Sequence, residues 1–340
     1  MDDNEYKIAF FDTREYDKKF FNQENEKFGF KIDFFDFKLS RDTAKLTKGY
    51  EVICVFVNDI VDEKVIKILA QNGVKLLALR CSGYNNVDLR ATSQCGIKVV
   101  RVPAYSPYAV AEYALSLLLT LNRKVHRAYM RTKEFNFSLN NLVGFTLHNK
   151  TVGVVGTGAI GRCFIKILSG FGLKILAYDP LPNEQFAEEF CFKYVDMNAI
   201  YKEADIISLH CPLSKDSYHL LNRKSFKRMK KNALIVNTSR GALINTEDLI
   251  FALKQSLIGG AALDVYEEES EFFFKDISSE IIDDDVLARL ITFPNVLLTS
   301  HQAFLTEEAL TQIAMTTLSS VKSFFENNSL ENQICYKCTV

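Results

Sequence analysis

The 340-residue chain has no tryptophan and only 6 prolines. Its 41 basic and 42 acidic residues leave a net charge of −1. Balanced, interspersed charge gives no electrostatic reason to expect nucleic acid or an anionic membrane as a partner. No apolar run approaches the roughly 20 residues that a membrane span needs. The first residues, MDDNEYKIAFFD, are acidic and lack the basic-then-apolar order of a secretion signal, so the expected location is cytoplasmic. Repeats, low-complexity tracts and proline-rich linkers are missing as well. Cysteine is present 8 times, at positions 54, 81, 95, 163, 191, 211, 335 and 338. Most of these lie inside apolar runs, which suits reduced core thiols better than a disulfide framework. Cys335 and Cys338 form one CxxC in a polar tail, and without a second ligand pair no metal is expected. The 27 phenylalanines read as core filler.

The length allows two domains, each with a large core. Over the first hundred residues, short apolar runs at 8–11, 31–35, 52–56, 76–79 and 99–102 alternate with helix-period segments. The clearest helix is Asp62–Asn72, with an acidic first turn and Gly73 just past its end. Ser106-Pro107, an N-cap residue followed by proline at the first helical position, opens the longest helix-period segment, 106–131. Its apolar residues are dense enough for either a central core helix or a subunit contact. A second alternating block follows, with runs at 206–209, 234–236, 261–263 and 296–298, and a last helix over roughly 306–327. Strand–helix alternation of this kind predicts parallel sheets covered by helices, with a boundary near Arg101–Pro103.

Residues 152–179 read VGVVGTGAIGRCFIKILSGFGLKILAYD. This is a strand, a glycine turn, a helix and a second strand ending on an acid. Gly156 permits the tight turn, Gly158 lets the backbone approach a pyrophosphate, and Gly161 allows the helix to pack close to the strand. The phosphates would sit on unpaired N–H groups at the helix start. Asp179 would accept hydrogen bonds from the adenosine ribose and repel a 2′-phosphate, so the expected cofactor is NAD.

Three further motifs fall where strands of the second block should end: NTSRG with Arg240, DVYEEE with Asp264 and Glu269, and SHQAF with His301 and Phe304. Ligands bind beyond the carboxyl ends of parallel strands. Arginine can hold a carboxylate bidentately. Histidine exchanges a proton near neutral pH, and a neighbouring carboxylate fixes its orientation. A 2-oxo acid reduced beside a nicotinamide needs these functions. The other histidines, at 126, 148, 210 and 219, lack such company and read as structural.

On these residues, together with FFDF, VFVND, RVPAYSP, HCPL and HQAFLTEEAL, the chain resembles the D-2-hydroxyacid dehydrogenases, and among them the lactate-forming branch, over nearly its whole length. The resemblance implies an α/β fold of two Rossmann-like domains with a cleft between. A flavodoxin-like substrate domain would span 1–101 and 300–340, and an NAD-binding, doubly wound parallel sheet 102–299. It implies Arg240 on the substrate carboxylate and His301 as acid/base paired with Glu269. It also implies cofactor contacts from Gly156, Gly158, Ala159, Ile160, Gly161, Asp179, Cys211, Pro212, Thr238, Ser239 and Asp264. Substrate contacts would come from Ser82 and Gly83 backbone N–H groups and an aromatic wall of Phe56, Tyr105 and Phe304. The segment 271–285 looks like the insertion of the lactate-forming branch. The family further implies a homodimer or dimer of dimers, with the helix 106–131 in the contact. The expected reaction is reversible NADH-dependent reduction of pyruvate to D-lactate in fermentation. The alternatives are a larger 2-oxo acid, such as phenylpyruvate or 2-oxoisocaproate, and an NAD-sensing corepressor-like binding role.

Overall fold

The computed structural model describes residues 6–269, 272–274, 276–326 and 329–336. The chain divides into two compact units, Met1–Ser106 with Leu305–Val340, and Pro107–Phe304. The units change at 106/107 and 304/305, about five residues beyond the limits of 101 and 300 expected from sequence. The link before Pro107 and the turn bearing His301 therefore belong to the units on their amino-terminal sides.

The first unit contains β1 (Lys7–Phe10), β2 (Lys31–Phe34), β3 (Val52–Val55), β4 (Leu76–Leu79) and β5 (Lys98–Arg101). The second contains β6 (Thr151–Val155), β7 (Lys174–Tyr178), β8 (Lys193–Tyr194), β9 (Ile206–Leu209), β10 (Leu234–Asn237), β11 (Gly260–Leu263) and β12 (Val296–Leu298). A short β13 (Gln333–Ile334) returns to the first unit. The first sheet runs β13-β5-β4-β3-β1-β2, all parallel except β13 against β5. Without β13 this is the flavodoxin-like order. The second runs β12-β11-β10-β9-β6-β7-β8, all parallel, which is the doubly wound dinucleotide order with one added strand. Sequence reading missed β8 and β13; strands of two residues carry no periodicity to read.

Helix ends follow local chemistry. Asp62 caps the helix Glu63–Gln71 by accepting from Val65 N at 2.9 Å. Thr306 caps Glu307–Phe325, which packs on the helix Glu15–Asn25 inside the first unit.

The segment 106–131 is not one helix. Pro107–Arg123 ends at Lys124, which takes a left-handed conformation (φ 52°, ψ 36°), and Val125–Lys133 follows. The cause lies in side chains turned to the backbone. Asn122 brackets Phe145, accepting from its N–H at 3.0 Å and donating to its carbonyl at 2.7 Å, while Lys124 Nζ donates to Val143 O at 2.6 Å. Pro107–Arg123 lays Ala111, Ala114, Leu117, Leu118 and Leu121 into the core of the second unit. The helix Val125–Lys133 buries no residue at all.

Six described cysteines, at 54, 81, 95, 163, 191 and 211, are free, and Cys335, set apart from them in the sequence, is disulfide-bonded; Cys338 lies outside the described residues.

At the carboxyl edge of the first sheet, Arg80 follows β4 and is fully buried. It pairs with Asp17 at 3.3 Å and donates to Phe11 O at 3.1 Å and Asp12 O at 2.6 Å. Its guanidinium lies between the Phe10 and Phe56 rings, 4.5 and 4.6 Å from their centroids. Asp59 accepts from Phe56 N and Leu39 N, both at 2.6 Å. Burial pushes its carboxyl up to about 7, against the opposing pull of Arg80 and those two donors. A carboxyl with a folded-state value above its unfolded one binds its proton more tightly in the fold, so ionising it weakens the fold. Stability from Asp59 is therefore full below about pH 4 and is lost as pH rises through about 7. Asp59→Asn should abolish this decline: relative to wild type, its urea midpoint should rise between about pH 5 and pH 8. A pH-independent difference would show Asp59 ionised throughout.

Candidate active site

Strand β6 runs into Gly156, whose φ of +93° is open to glycine and strained for other residues. A Cβ there would lie 2.7 Å from Cys211 N, and one on Gly161 would lie 2.0 Å from Gly156 O. The turn is thus pressed between the loop after β9 and the start of the helix Ala159–Ser169. Gly158 is different: a Cβ there would meet nothing within 4 Å, and no side chain caps the helix it begins. Open space above unpaired first-turn N–H groups, including those of Ala159 and Ile160, fits a pyrophosphate.

Asp179 ends the next strand with its carboxylate already aimed. Oδ2 accepts from Thr157 N at 2.6 Å and Thr157 Oγ1 at 2.9 Å, and Oδ1 from Leu181 N at 2.9 Å. The Thr157 hydroxyl has one hydrogen, so Tyr194 OH, 2.9 Å away, must donate to it. Burial raises the Asp179 pKa, but the Thr157 and Leu181 donors and Arg162 outweigh it and hold the group below the usual range. One acceptor position on Oδ1 stays open, which suits a ribose hydroxyl.

After β9, His210 is half-buried, with its ring packed inward. Its Nε2 faces Ser208 Oγ at 2.8 Å, its ring lies 4.8 Å from that of Phe164, and burial pushes its pKa down to about 3. It is a neutral packing residue. Burial pushes the Cys211 thiol up to about 11, while its carbonyl accepts from Ser239 Oγ at 2.7 Å. Pro212 O accepts from Ser217 Oγ at 2.7 Å. Thr238 Oγ1, beside the end of β10, is buried without a hydrogen-bond partner among the described residues, a second feature that fits a bound cofactor.

Adjacent strands β10, β11 and β12 deliver the chemical set. His301 Nδ1 lies 2.7 Å from Glu269 Oε1, and Glu269 Oε2 accepts from Tyr266 N at 3.1 Å. A carboxylate only accepts, so Nδ1 carries the hydrogen toward Glu269 and Nε2 is left for chemistry. His301 has φ +52°, a strained backbone held by Asp264. Asp264 O accepts from His301 N at 2.8 Å. Its carboxylate takes Thr299 Oγ1 at 2.6 Å and Gln302 N at 3.0 Å on Oδ1, and Ala303 N at 2.8 Å on Oδ2. The carboxylate expected to face the cofactor is therefore largely engaged in shaping the His301 turn.

Arg240 uses one Nη1 hydrogen on Ser239 O at 2.7 Å, and the rest of its fork has no protein partner among the described residues. Its carbonyl accepts from Asn237 Nδ2 at 2.9 Å. Gly241 follows, and a Cβ on it would lie 2.1 Å from the Tyr266 carbonyl, so the Arg240 loop rests directly on the turn carrying Glu269. Phe274, within the segment 271–285, sets its ring 5.9 Å from that of His301; residues 271 and 275 of that segment lie outside the described residues.

Phe56, Ser82, Gly83 and Tyr105 belong to the first unit and Phe304 ends the second. Phe56 and Phe304 are buried. Arg101 donates to Ser82 O at 2.8 Å, while the Ser82 and Gly83 N–H groups have no protein acceptor among the described residues.

One pairing escaped the sequence reading. His219 Nε2 meets Glu267 Oε1 at 2.5 Å, its N–H donates to Ala242 O at 2.9 Å, and Glu267 Oε2 accepts from Thr246 Oγ1 at 3.1 Å. This second imidazole–carboxylate pair ties the Arg240 loop to the Glu269 turn. The run of three glutamates hid it, because only its fold distinguishes Glu267 from Glu269. Among the described residues, no group of three or more His, Cys, Asp or Glu is arranged to hold a metal ion.

The model for the NAD-binding domain of D-isomer specific 2-hydroxyacid dehydrogenases matches residues 115–303. The chain belongs to this NAD-dependent family of oxidoreductases. More particularly, it is 51% identical over 328 residues to the D-lactate dehydrogenase of Escherichia coli (strain K12), covering 96% of this chain and 99% of that one. The solved pyruvate reductase of Chlamydomonas reinhardtii is 42% identical with a TM-score of 0.92, over 96% of this chain and 98% of that one. A D-lactate dehydrogenase with NAD+ from Lactobacillus jensenii is 32% identical with a TM-score of 0.81, over 96% and 99%.

Gly241→Ala should force the Arg240 loop off the Tyr266 backbone. Displacement of about 1 Å lowers turnover on the order of 10²-fold. The expected result is that loss in kcat/KM for the 2-oxo acid, with NADH affinity by fluorescence titration nearly retained. An active variant would mean that the two loops move independently.

Proposed function

We propose that the chain reduces pyruvate to D-lactate with NADH, reversibly, in the fermentative metabolism of the cytoplasm. The observation that carries this is the Glu269–His301 pair, with His301 Nε2 lacking a partner among the described residues, after β11 and β12, the strands that follow in sheet order the one bearing the open Arg240 fork. NADH, when bound, supplies a hydride to C2 of the 2-oxo acid. His301 Nε2–H gives its proton to the carbonyl oxygen as that oxygen gains charge, while Glu269 holds the ring in orientation through Nδ1. Arg240 holds the substrate carboxylate and polarises the adjoining carbonyl. The unpartnered Ser82 and Gly83 N–H groups support their assignment to the substrate, with Phe56, Tyr105 and Phe304 as apolar wall. The same reading assigns Gly156, Gly158, Ala159, Ile160, Gly161, Asp179, Cys211, Pro212, Thr238, Ser239 and Asp264 to the cofactor. Similarity to proteins named for lactate and pyruvate supports the small substrate.

The test is loss of NADH absorbance with purified protein and pyruvate, phenylpyruvate or 2-oxoisocaproate. Pyruvate should give the highest kcat/KM. His301→Gln should lower kcat by roughly 10²–10⁴, and Arg240→Gln should mainly raise the pyruvate KM. A strong preference for a bulky substrate would move the assignment to the larger 2-oxo acids. Absence of turnover would favour a binding role.

For the subunit contact, we propose that it uses the last part of the expected segment 106–131 and continues beyond it. Phe135, Phe137, Leu139 and Val143 are 85, 71, 80 and 83% exposed, and Val125, Tyr129 and Met130 on the preceding helix are also open. Contiguous apolar exposure of this kind marks an interaction surface. It supports a homodimer, or a dimer of dimers, formed through 125–143. Light scattering should give at least a dimer, and Phe137→Ser with Leu139→Ser should shift it toward monomer without lowering monomer stability. A native monomer would reject the assignment.

A further inference from the structure

Arg162, on the first turn of the helix Ala159–Ser169, has no part in the reaction as described. Its Nε donates to Thr157 O at 2.9 Å, and its guanidinium lies 5.5 Å from the Phe186 ring centroid. The same Thr157 gives both its N–H and its hydroxyl to Asp179. One residue of the glycine turn is therefore held by a guanidinium and by the carboxylate aimed at the adenosine ribose. Side chains on a helix lean toward its amino end, which brings this one back over the turn. With Nε engaged, both Nη groups remain without a hydrogen-bond partner among the described residues, and the side chain is exposed.

We propose that Arg162 is a second determinant of coenzyme choice: its fork binds a phosphate on the adenosine 2′-oxygen, so that the chain accepts NADPH alongside NADH. Asp179 alone would repel that phosphate, whereas a nearby arginine accommodates it. Here both charges stand at one turn. The repulsion is already blunted, because the Asp179 oxygens face N–H and O–H donors from Thr157 and Leu181. The Nε bond and the Phe186 ring hold the guanidinium in place, so little side-chain freedom is lost when a phosphate arrives. A planar fork meets phosphate through two parallel hydrogen bonds, stronger than those of a neutral donor.

The proposal rests on the NAD site and not on the identity of the 2-oxo acid, so binding is measured apart from turnover. The full chain is titrated calorimetrically with 5′-AMP and with adenosine 2′,5′-bisphosphate, and kcat/KM is measured for NADH and NADPH with pyruvate. Wild type should bind the bisphosphate and oxidise NADPH. Arg162→Met should lower the NADPH-to-NADH ratio of kcat/KM, and the bisphosphate-to-AMP ratio of affinities, by roughly tenfold or more. Arg162→Lys, a point charge without the fork, should lose less. A wild type that ignores both 2′-phosphorylated ligands would overturn the proposal. So would a Met variant that weakens both coenzymes in equal proportion, since Arg162 would then serve the pyrophosphate or the turn itself. If the bisphosphate discriminates as expected while pyruvate is not reduced, coenzyme choice stands and the assigned reaction fails.

Discussion

The turn at the end of β12 bends as it does because Asp264 closes around it. A wholly buried carboxylate is expensive unless its lone pairs are met, and here the chain meets them with Thr299, Gln302 and Ala303. Burial raises the Asp264 pKa even so, against those donors. Folding the turn thus satisfies the carboxylate, and satisfying the carboxylate keeps His301 in a backbone conformation that non-glycine residues seldom adopt. From that position the imidazole reaches Glu269, whose own turn begins two residues beyond Asp264. One aspartate therefore sets the base, its carbonyl accepting from His301 N and its carboxylate from the residues on either side.

The second sheet supplies the rest by topology. Chain order reverses between β6 and β9: β7 and β8 lie on one side, β10, β11 and β12 on the other. The loops after β6 and β9 diverge there, and a crevice opens where a dinucleotide can lie. Gly156 against Cys211, and Ser239 against the Cys211 carbonyl, are the close approaches that seal the floor of that crevice. The reacting groups fall to the three strands on one side, so the acid–base pair and the guanidinium stand on neighbouring rigid supports.

Much of this was legible beforehand, for physical reasons. Glycine turns, strand runs and caps are local, so 152–179 and Asp62–Asn72 read correctly from a few residues each. Both sheet classes followed from the family pattern, without β8 and β13, and the Arg240, Glu269 and His301 register followed from motifs at strand ends. What escaped was decided by distant partners. The break at Lys124 depends on Asn122 reaching Phe145, and no helix-period count contains that. The engagement of Asp264 with its own neighbours, and the pairing of His219 with Glu267, arise between residues 35 to 48 apart in sequence. The exposed apolar side chains from Val125 to Val143 run past the end of the segment 106–131, and their exposure is revealed only by the fold.

The first unit is assembled from both ends of the chain: β13 pairs with β5, and the helix Glu307–Phe325 packs on Glu15–Asn25. The second unit is one uninterrupted stretch, Pro107–Phe304. On a ribosome the uninterrupted stretch can emerge and close its core while the opening hundred residues still await a covering helix some two hundred positions away. Synthesis therefore completes the dinucleotide half first, and the early strands, rich in phenylalanine, stay exposed longest to chaperones and to misassembly.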